Sequence, residues 1–277
     1  MKKSYLLIAL AVVAAMTVSC KNSNSKKSEK QAETKDIVDA AKVIFADDVL
    51  ATIDQLAETY ITSAEPGDIL SQVVSDLNDK EKLLKPDYLL DPTETYNLLT
   101  RKQKINALGI MLPERIVREA YGLPLDEFKA AAARLMADVN FPISMDMVNK
   151  EIPFSERVKK AYEVCKERGD LSYFWQFEFA VITSTLYLVS QNPDLFLRNV
   201  TEEQYLAFDK RFRSLRSALL ELAKYDEEIA GVVEILDKNK ATSNEELDKL
   251  CSSFDGFKQQ IVDSKYIYAA SRAEMLK

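Results

Sequence analysis

Residues 170–193 have the sequence DLSYFWQFEFAVITSTLYLVSQNP, the most apolar stretch of the chain after its N-terminal segment. Its apolar side chains would cover almost the whole circumference of a helix, a pattern typical of a helix buried on nearly all sides. A membrane span is the rival interpretation, but Gln176, Glu178 and residues 183–185 are polar. We therefore expect a buried core helix over 171–191. Six aromatic residues would lie on it: Tyr173, Phe174, Trp175, Phe177, Phe179 and Tyr187.

Glu178 is the unusual residue of this helix. Three- and four-residue spacing places it in one stripe with Leu171, Trp175, Ile182, Leu186 and Val189. An unpaired charge in such a stripe is costly. Three interpretations are open: a buried ion pair or hydrogen bond with an arginine such as Arg115 or Arg118, a half-exposed position on a rim, or a ligand-binding or catalytic carboxylate with a raised pKa. In the last case, Trp175 and Glu178 form a candidate ligand-binding site.

The rest of the chain also favours helices. Its 277 residues include only 6 Gly and 8 Pro, whereas Leu, Ala, Glu and Lys are abundant. No linker divides residues 34–277, so we expect a single all-α bundle of about eight to ten helices there. Periodicity and capping residues predict helices over 34–63, 68–77, 92–122, 124–139, 155–169, 171–191, 201–224 and 226–238, and a last helix from Ser243 towards the C-terminus.

Pro113 lies inside the helix predicted over 92–122. Proline removes one backbone hydrogen bond, and its ring clashes with the carbonyl four residues earlier. That residue is Gly109, which has no Cβ and can yield. We expect a kink at this point rather than a stop, and an end of the helix at Gly122.

The stretch PDYLLDPTETYNLLTRKQKINALGIMLPERIVREAYG, residues 86–122, carries a resemblance to known proteins. A helix containing Lys102 and Lys104 leads into Ala-Leu-Gly at 107–109 and then into an acidic residue, Glu114. This order resembles a group of helical lipoproteins from Bacteroidota. The resemblance implies an all-helical fold and a location in the cell envelope. It implies no site, because the group has no assigned activity.

The N-terminus has the features of a secretory signal. Lys2 and Lys3 precede an apolar run over residues 5–18, which is too short to span a bilayer comfortably. The run ends at Ser19 and Cys20, as in a bacterial lipobox, and a polar segment follows. We predict a signal peptide over 1–19, lipid attachment at Cys20 and a disordered tether over 20–33 with a reach of about 20 Å. The alternative is an ordinary signal peptide cleaved near Ser19.

The tether also indicates a location. Lys21 follows the cysteine, and the tether has no run of acidic residues. These features favour anchoring to the bacterial outer membrane with the body facing the periplasm. The expected partners are therefore the membrane, through the lipid, and another envelope protein.

Composition excludes several kinds of chemistry. The chain contains no histidine, which excludes Ser-His-Asp triads, Cys-His pairs and His-ligated zinc or haem. Residues 237–248 have the length of a calcium loop but lack its glycine and its final glutamate, so we expect no metal and no cofactor. The body after the tether carries an excess of acidic residues, which disfavours nucleic acid as a partner. Cys165 and Cys251 could form one disulfide in an oxidising compartment.

Three functions are consistent with these features. The first is a non-catalytic helical protein, anchored in the envelope, that binds another envelope component. The alternative is a bundle that binds a small ligand or lipid in an apolar pocket lined by the 171–190 helix. A hydrolase that uses only carboxylates has the least support, since paired acids such as Asp47 and Asp48 are most simply a solvated helix start.

Overall fold

The aromatic stretch forms the helix Leu171–Gln191 at the centre of the protein. The computed structural model describes residues 45–63, 66–142, 153–238, 254–263 and 265–277. All of them belong to one compact unit, Ile37–Lys277. The predicted signal peptide, Cys20, the tether, Cys251 and residues 239–248 of the segment compared with a calcium loop lie outside the described residues.

The described residues are mostly helical and contain no strand, in agreement with the predicted all-α class. Twelve α-helices lie in this part of the chain: α1 Asp47–Ile61, α2 Pro66–Val73, α3 Asp79–Leu83, α4 Arg101–Ala120, α5 Asp126–Val139, α6 Phe154–Arg168, α7 Leu171–Gln191, α8 Pro193–Asn199, α9 Glu202–Leu222, α10 Glu227–Lys238, α11 Phe254–Asp263 and α12 Lys265–Met275. The predicted number of eight to ten was too low, because the short helices α3 and α8 carry no periodicity of their own and α11 and α12 are separate.

Helix α7 is the element around which the others pack. Seventeen of its 21 residues are buried, as the all-round apolar pattern predicted. It contacts α4 most extensively and also packs against α12, α2, α6 and α9. No helix of the described ranges has the length and apolar character that a membrane span needs.

The contact between α4 and α7 depends on a glycine. A Cβ on Gly109 would lie 2.7 Å from the Ala180 Cβ and 2.7 Å from the Phe177 carbonyl oxygen. Helix α4 continues through Pro113 without stopping, as expected. The missing Cβ of Gly109 therefore has a role that the proline argument did not predict: it lets α4 approach the backbone of α7.

Capping chemistry decides where two helices begin. The predicted start at Pro92 was wrong, because residues Pro92–Asn97 form a separate 3-10 helix. Helix α4 starts instead after Thr100, whose hydroxyl accepts from the Gln103 N–H in a capping box. Helix α9 begins with the same box, in which Thr201 and Gln204 cap each other.

Candidate functional site

Glu178 of α7 lies in the core and pairs with Arg211 of α9. Its Oε2 atom is 3.5 Å from an Arg211 terminal nitrogen, and the two side chains are 1% and 0% exposed. The same oxygen accepts a hydrogen bond from the Tyr60 hydroxyl of α1. The sequence pattern correctly indicated a buried carboxylate with an arginine partner, but Arg115 and Arg118 were the wrong candidates.

Aromatic rings surround this ion pair. The Arg211 guanidinium lies 4.2 Å from the Tyr60 ring centroid, in cation–π geometry. The Tyr60 ring meets Trp175 edge to face at 5.6 Å. These contacts join α1, α7 and α9 in the core. We call the four residues the Glu178 cluster: Tyr60, Trp175, Glu178 and Arg211.

The electrostatics of the Glu178 cluster are dominated by the loss of water. Burial raises the pKa of Glu178, and the Arg211 charge and the Tyr60 hydrogen bond only partly offset this effect. Burial also raises the pKa of Tyr60 well above its usual value. Within the described residues, no group hydrogen-bonds to the second carboxylate oxygen of Glu178 or to the Trp175 indole N–H.

A second buried carboxylate joins the C-terminal helix to α4. Glu114 of α4 is fully buried and pairs with Arg272 of α12. Its two oxygens accept from the Leu90 backbone N–H at 2.9 and 3.1 Å. Arg118 lies 3.9 Å from the same carboxylate and donates to the Leu90 carbonyl oxygen at 2.6 Å. Arg118, predicted as a partner of Glu178, thus belongs to the Glu114 cluster of Leu90, Glu114, Arg118 and Arg272.

Cys165 is a free thiol that is fully buried. Burial is the main cause that raises its pKa, to about 12. Cys251, the other cysteine of the possible disulfide, lies outside the described residues, so that pairing stays a prediction. A thiol with a raised pKa and no exposed surface is a poor nucleophile.

An open groove of about 640 Å³ lies between α4, α7, α10 and α12. Its floor is mostly apolar and consists of buried side chains: Asn106, Phe179, Val232, Ile235 and Met275. Its rim carries charges of both signs: Arg101, Lys102, Glu228, Glu234, Glu274 and Lys277. Trp175 and Glu178 do not line this groove, nor a smaller cavity of about 240 Å³ beside Leu90 and Leu98.

Ion pairs order one side of the groove. Arg101 forms two hydrogen bonds to Asp170, at 3.0 and 3.2 Å, and its guanidinium lies 4.5 Å from the Tyr173 ring centroid. Lys102 pairs with Glu228 at 2.9 Å. The arrangement presents an apolar strip between fixed charges, which suits recognition of an amphipathic partner.

Sequence reasoning missed Arg211 and the groove for different reasons. Arg211 occupies a core position of α9, three residues after Phe208 and four before Leu215, so the spacing of buried residues contained a signal for it. The groove combines α4, α7, α10 and α12, which are far apart in the chain, and no local pattern predicts which helices meet.

In the part of the chain that the structure describes, no group of three or more Cys, Asp or Glu residues could hold a metal ion. Comparison with known proteins gives no match: no family model fits the chain, and neither a curated protein nor a solved structure shows detectable similarity to it.

Proposed function

We propose that this protein is a lipid-anchored component of the bacterial envelope whose helical body binds another envelope protein, without catalysis. The observation that carries the proposal is the groove between α4, α7, α10 and α12, with its apolar floor and its rim of both charges. The N-terminal segment ending at Cys20 and the resemblance to helical lipoproteins support the location.

The chemistry of the buried groups supports binding rather than reaction. Glu178 and Glu114 each pair with an arginine from another helix, so both carboxylates connect parts of the fold. Cys165 has no exposed surface. These three groups act inside the core, whereas the groove opens to solvent.

A protein segment fits the groove in a specific way. An amphipathic helix could place its apolar face on Val232, Ile235 and Met275 while its polar edges meet the charges of the rim. Mixed charges on a rim select partners and register more than they add affinity. The ordered pairs of Arg101 and Lys102 would provide this selection.

Crosslinking in cells tests the proposal. A photoreactive residue at Glu234, on the rim, should capture one defined envelope protein, while the same residue at the exposed Tyr266 should not. Lys102→Glu places an acid beside Glu228 and should abolish the capture. Lys166→Glu is a matched control, because the Lys166–Asp54 pair has similar exposure and does not line the groove.

Two results would contradict the binding proposal. One is the same set of crosslinked products from positions 234 and 266. The other is equal capture by the Lys102→Glu and Lys166→Glu variants.

A small ligand in the groove is the second candidate function. The volume of the groove, about 640 Å³, lies within the range of about 300–1,000 Å³ that is usual for ligand pockets. Native mass spectrometry of protein purified from its own membranes distinguishes the two functions. A bound small molecule that Lys102→Glu removes would favour the ligand over the protein partner.

The anchor has an independent test. Cys20→Ala should abolish incorporation of a fatty-acid probe and leave the protein soluble or unprocessed. Equal labelling of wild type and variant would show that Cys20 is not the site of acylation. Protection from protease added to intact cells would support the proposed periplasmic face of the outer membrane.

A further inference from the structure

The short helix α3 presents two leucines to solvent. Leu83 and Leu84 are 80% and 75% exposed, and α3 buries none of its five residues. Three exposed lysines flank the leucines in the segment DKEKLLKP, residues 79–86: Lys80, Lys82 and Lys85. Leucines usually hold a helix in place by packing, so these two do not explain why α3 forms.

Polar contacts hold α3 instead. Asn78 caps the helix, and its side-chain oxygen accepts from the N–H groups of Lys80 and Glu81. The Glu81 carboxylate accepts in return from the Asn78 N–H and lies 3.5 Å from Arg198 of α8. Arg198 also donates to the Asp76 carbonyl oxygen at 3.0 Å. The leucines are therefore exposed on an ordered helix, which contacts α8 through Glu81 and Arg198.

The local charge differs from that of the body. After the tether, the chain has a net charge of −11, so most of its surface would repel an anionic membrane. Around α3, Arg198 lies near the carboxylates of both Asp76 and Glu81. Residues 76–87 and Arg198 together carry four cations and four acids, so this region is about neutral, and none of the described ion pairs involves Lys80, Lys82 or Lys85.

We propose that residues 80–85 form a membrane-contact tip, in which Leu83 and Leu84 enter the interface of a lipid bilayer and Lys80, Lys82 and Lys85 contact anionic headgroups. Exposed apolar side chains between lysines have this use in peripheral membrane proteins: the apolar part is buried at the headgroup boundary and the lysines add electrostatic attraction. The contact goes beyond the proposed partner binding and does not need the lipid anchor. An anchor at Cys20 would strengthen it, because tethering raises the effective concentration of a weak contact.

Vesicle binding tests the tip without the anchor. The test uses the whole chain after residue 19 with Cys20→Ser, which removes acylation, and vesicles with and without phosphatidylglycerol. Leu83→Ser with Leu84→Ser should weaken binding to anionic vesicles about tenfold or more, because the variant no longer transfers two apolar side chains from water into the membrane. Leu206→Ser is the matched control: Leu206 is 55% exposed on α9 and should be neutral.

The lysines should act only on charged membranes. Replacing Lys80, Lys82 and Lys85 by Gln should cost about fivefold in affinity per lysine on anionic vesicles at low salt and nothing on phosphatidylcholine. The tether lysines are present in every variant, so they cannot produce these differences. Unchanged melting temperatures would show that the variants fold, as expected for exposed positions.

A fluorescent probe reports the depth of the tip. Leu84→Trp should shift its emission to shorter wavelength when vesicles are added, whereas Leu206→Trp should not, and the native Trp175 is fully buried. Equal vesicle binding by the double serine variant and the Leu206→Ser control would overturn the proposal. So would capture of a protein, or of a second copy of this chain, as the main product of a photocrosslinker at Leu84 in cells.

Discussion

Gly109 on α4 lies directly against Ala180 on α7, in the most extensive helix–helix contact of the described residues. Gly109→Ala would place its new methyl group 2.7 Å from the Ala180 Cβ and from a backbone oxygen of α7. Neither atom belongs to a flexible side chain, so the two helices must separate. We expect a loss of about 1–3 kcal/mol in the free energy of unfolding, measured by urea denaturation.

Gly231→Ala is the control for this prediction. It lies in α10, and the nearest atom to its new Cβ would be the Lys102 ammonium nitrogen at 3.8 Å. Because the new methyl group meets no close atom, the higher helix propensity of alanine should raise the free energy of unfolding by up to about 1 kcal/mol. Equal effects of the two substitutions would show that the α4–α7 contact does not depend on a glycine.

Glu178→Ala should destabilise the protein by about 3–5 kcal/mol, because it removes the carboxylate that pairs with the fully buried Arg211. That loss is a large part of the roughly 5–15 kcal/mol that stabilises a typical domain. Glu119→Ala is the control, since its pair with Arg115 lies within one helix and is partly exposed, so it should contribute within about 1 kcal/mol. Thermal and urea melts of both variants measure the difference.

Glu178→Gln separates a structural role from ligand binding at the same residue. If the carboxylate carried unrelieved burial cost for the sake of a ligand, the neutral amide would stabilise the free protein. The contacts with Arg211 and Tyr60 offset only part of that cost, but Gln also removes the negative charge that faces the buried Arg211 guanidinium, so we expect a net loss of stability. A gain in melting temperature would contradict this expectation.

The buried carboxylate also gives a prediction for pH. Burial raises the folded-state pKa of Glu178, so the folded protein holds the proton more tightly than the unfolded chain. The contribution of this proton to stability is complete below the unfolded pKa of about 4.3 and is lost as the pH rises through the folded pKa. The stability of wild type relative to Glu178→Gln should therefore fall as the pH rises from about 4.3 through the folded-state pKa. A difference that stays constant or rises over this range would contradict the assignment.

Prediction from the sequence was most accurate for α7, whose burial follows from its own residues alone. The bounds of α7 agree with the predicted 171–191, since residues that are apolar on every side require burial whatever the neighbours are. The predicted start of α4 was wrong because Pro92 and Thr100 both suit the first turn of a helix. Which of them begins α4 depends on how residues 92–97 pack.

The partners of Glu178 show where such reasoning ends. Spacing within α7 predicted that the side chain is buried, but Tyr60 precedes it by 118 residues and Arg211 follows it by 33. Several arginines occupy comparable helical positions, and only the packing of α1 and α9 against α7 selects one. The groove depends in the same way on four helices that no local pattern brings together.

Cys165 should be inert in the folded protein. It has no exposed surface, and burial raises its pKa to about 12, so almost no thiolate forms at neutral pH. In a variant with Cys20→Ser and Cys251→Ser, a thiol reagent should label the protein only in concentrated guanidinium chloride. Labelling of the native variant at the rate of a free thiol would contradict the buried position. Disulfide-linked peptides from the wild-type protein would instead show that Cys165 forms a disulfide with Cys251.

The Glu114 cluster gives a last prediction, about the C-terminal helix. Arg272 is the charged residue of α12 that enters the core, where it pairs with Glu114 and lies 4.2 Å from the Tyr187 ring centroid. Arg272→Ala leaves Glu114 with the Leu90 N–H and the more distant Arg118, so the loss should fall near the lower end of the range for a broken buried pair, about 3 kcal/mol.

The loss should also be local. Because α12 loses its ion pair with α4 and, of the contacts described, keeps only the Asn106–Met275 hydrogen bond and its packing, backbone amides of residues 265–275 should exchange hydrogen faster than those of α7 in the same variant. Arg115→Ala is the matched control, since it removes an arginine from the partly exposed Arg115–Glu119 pair within α4 and should leave exchange in α12 unchanged. If both variants lost the same stability and α12 exchanged at its original rate in each, the Glu114–Arg272 pair would not be what holds the C-terminal helix to the core.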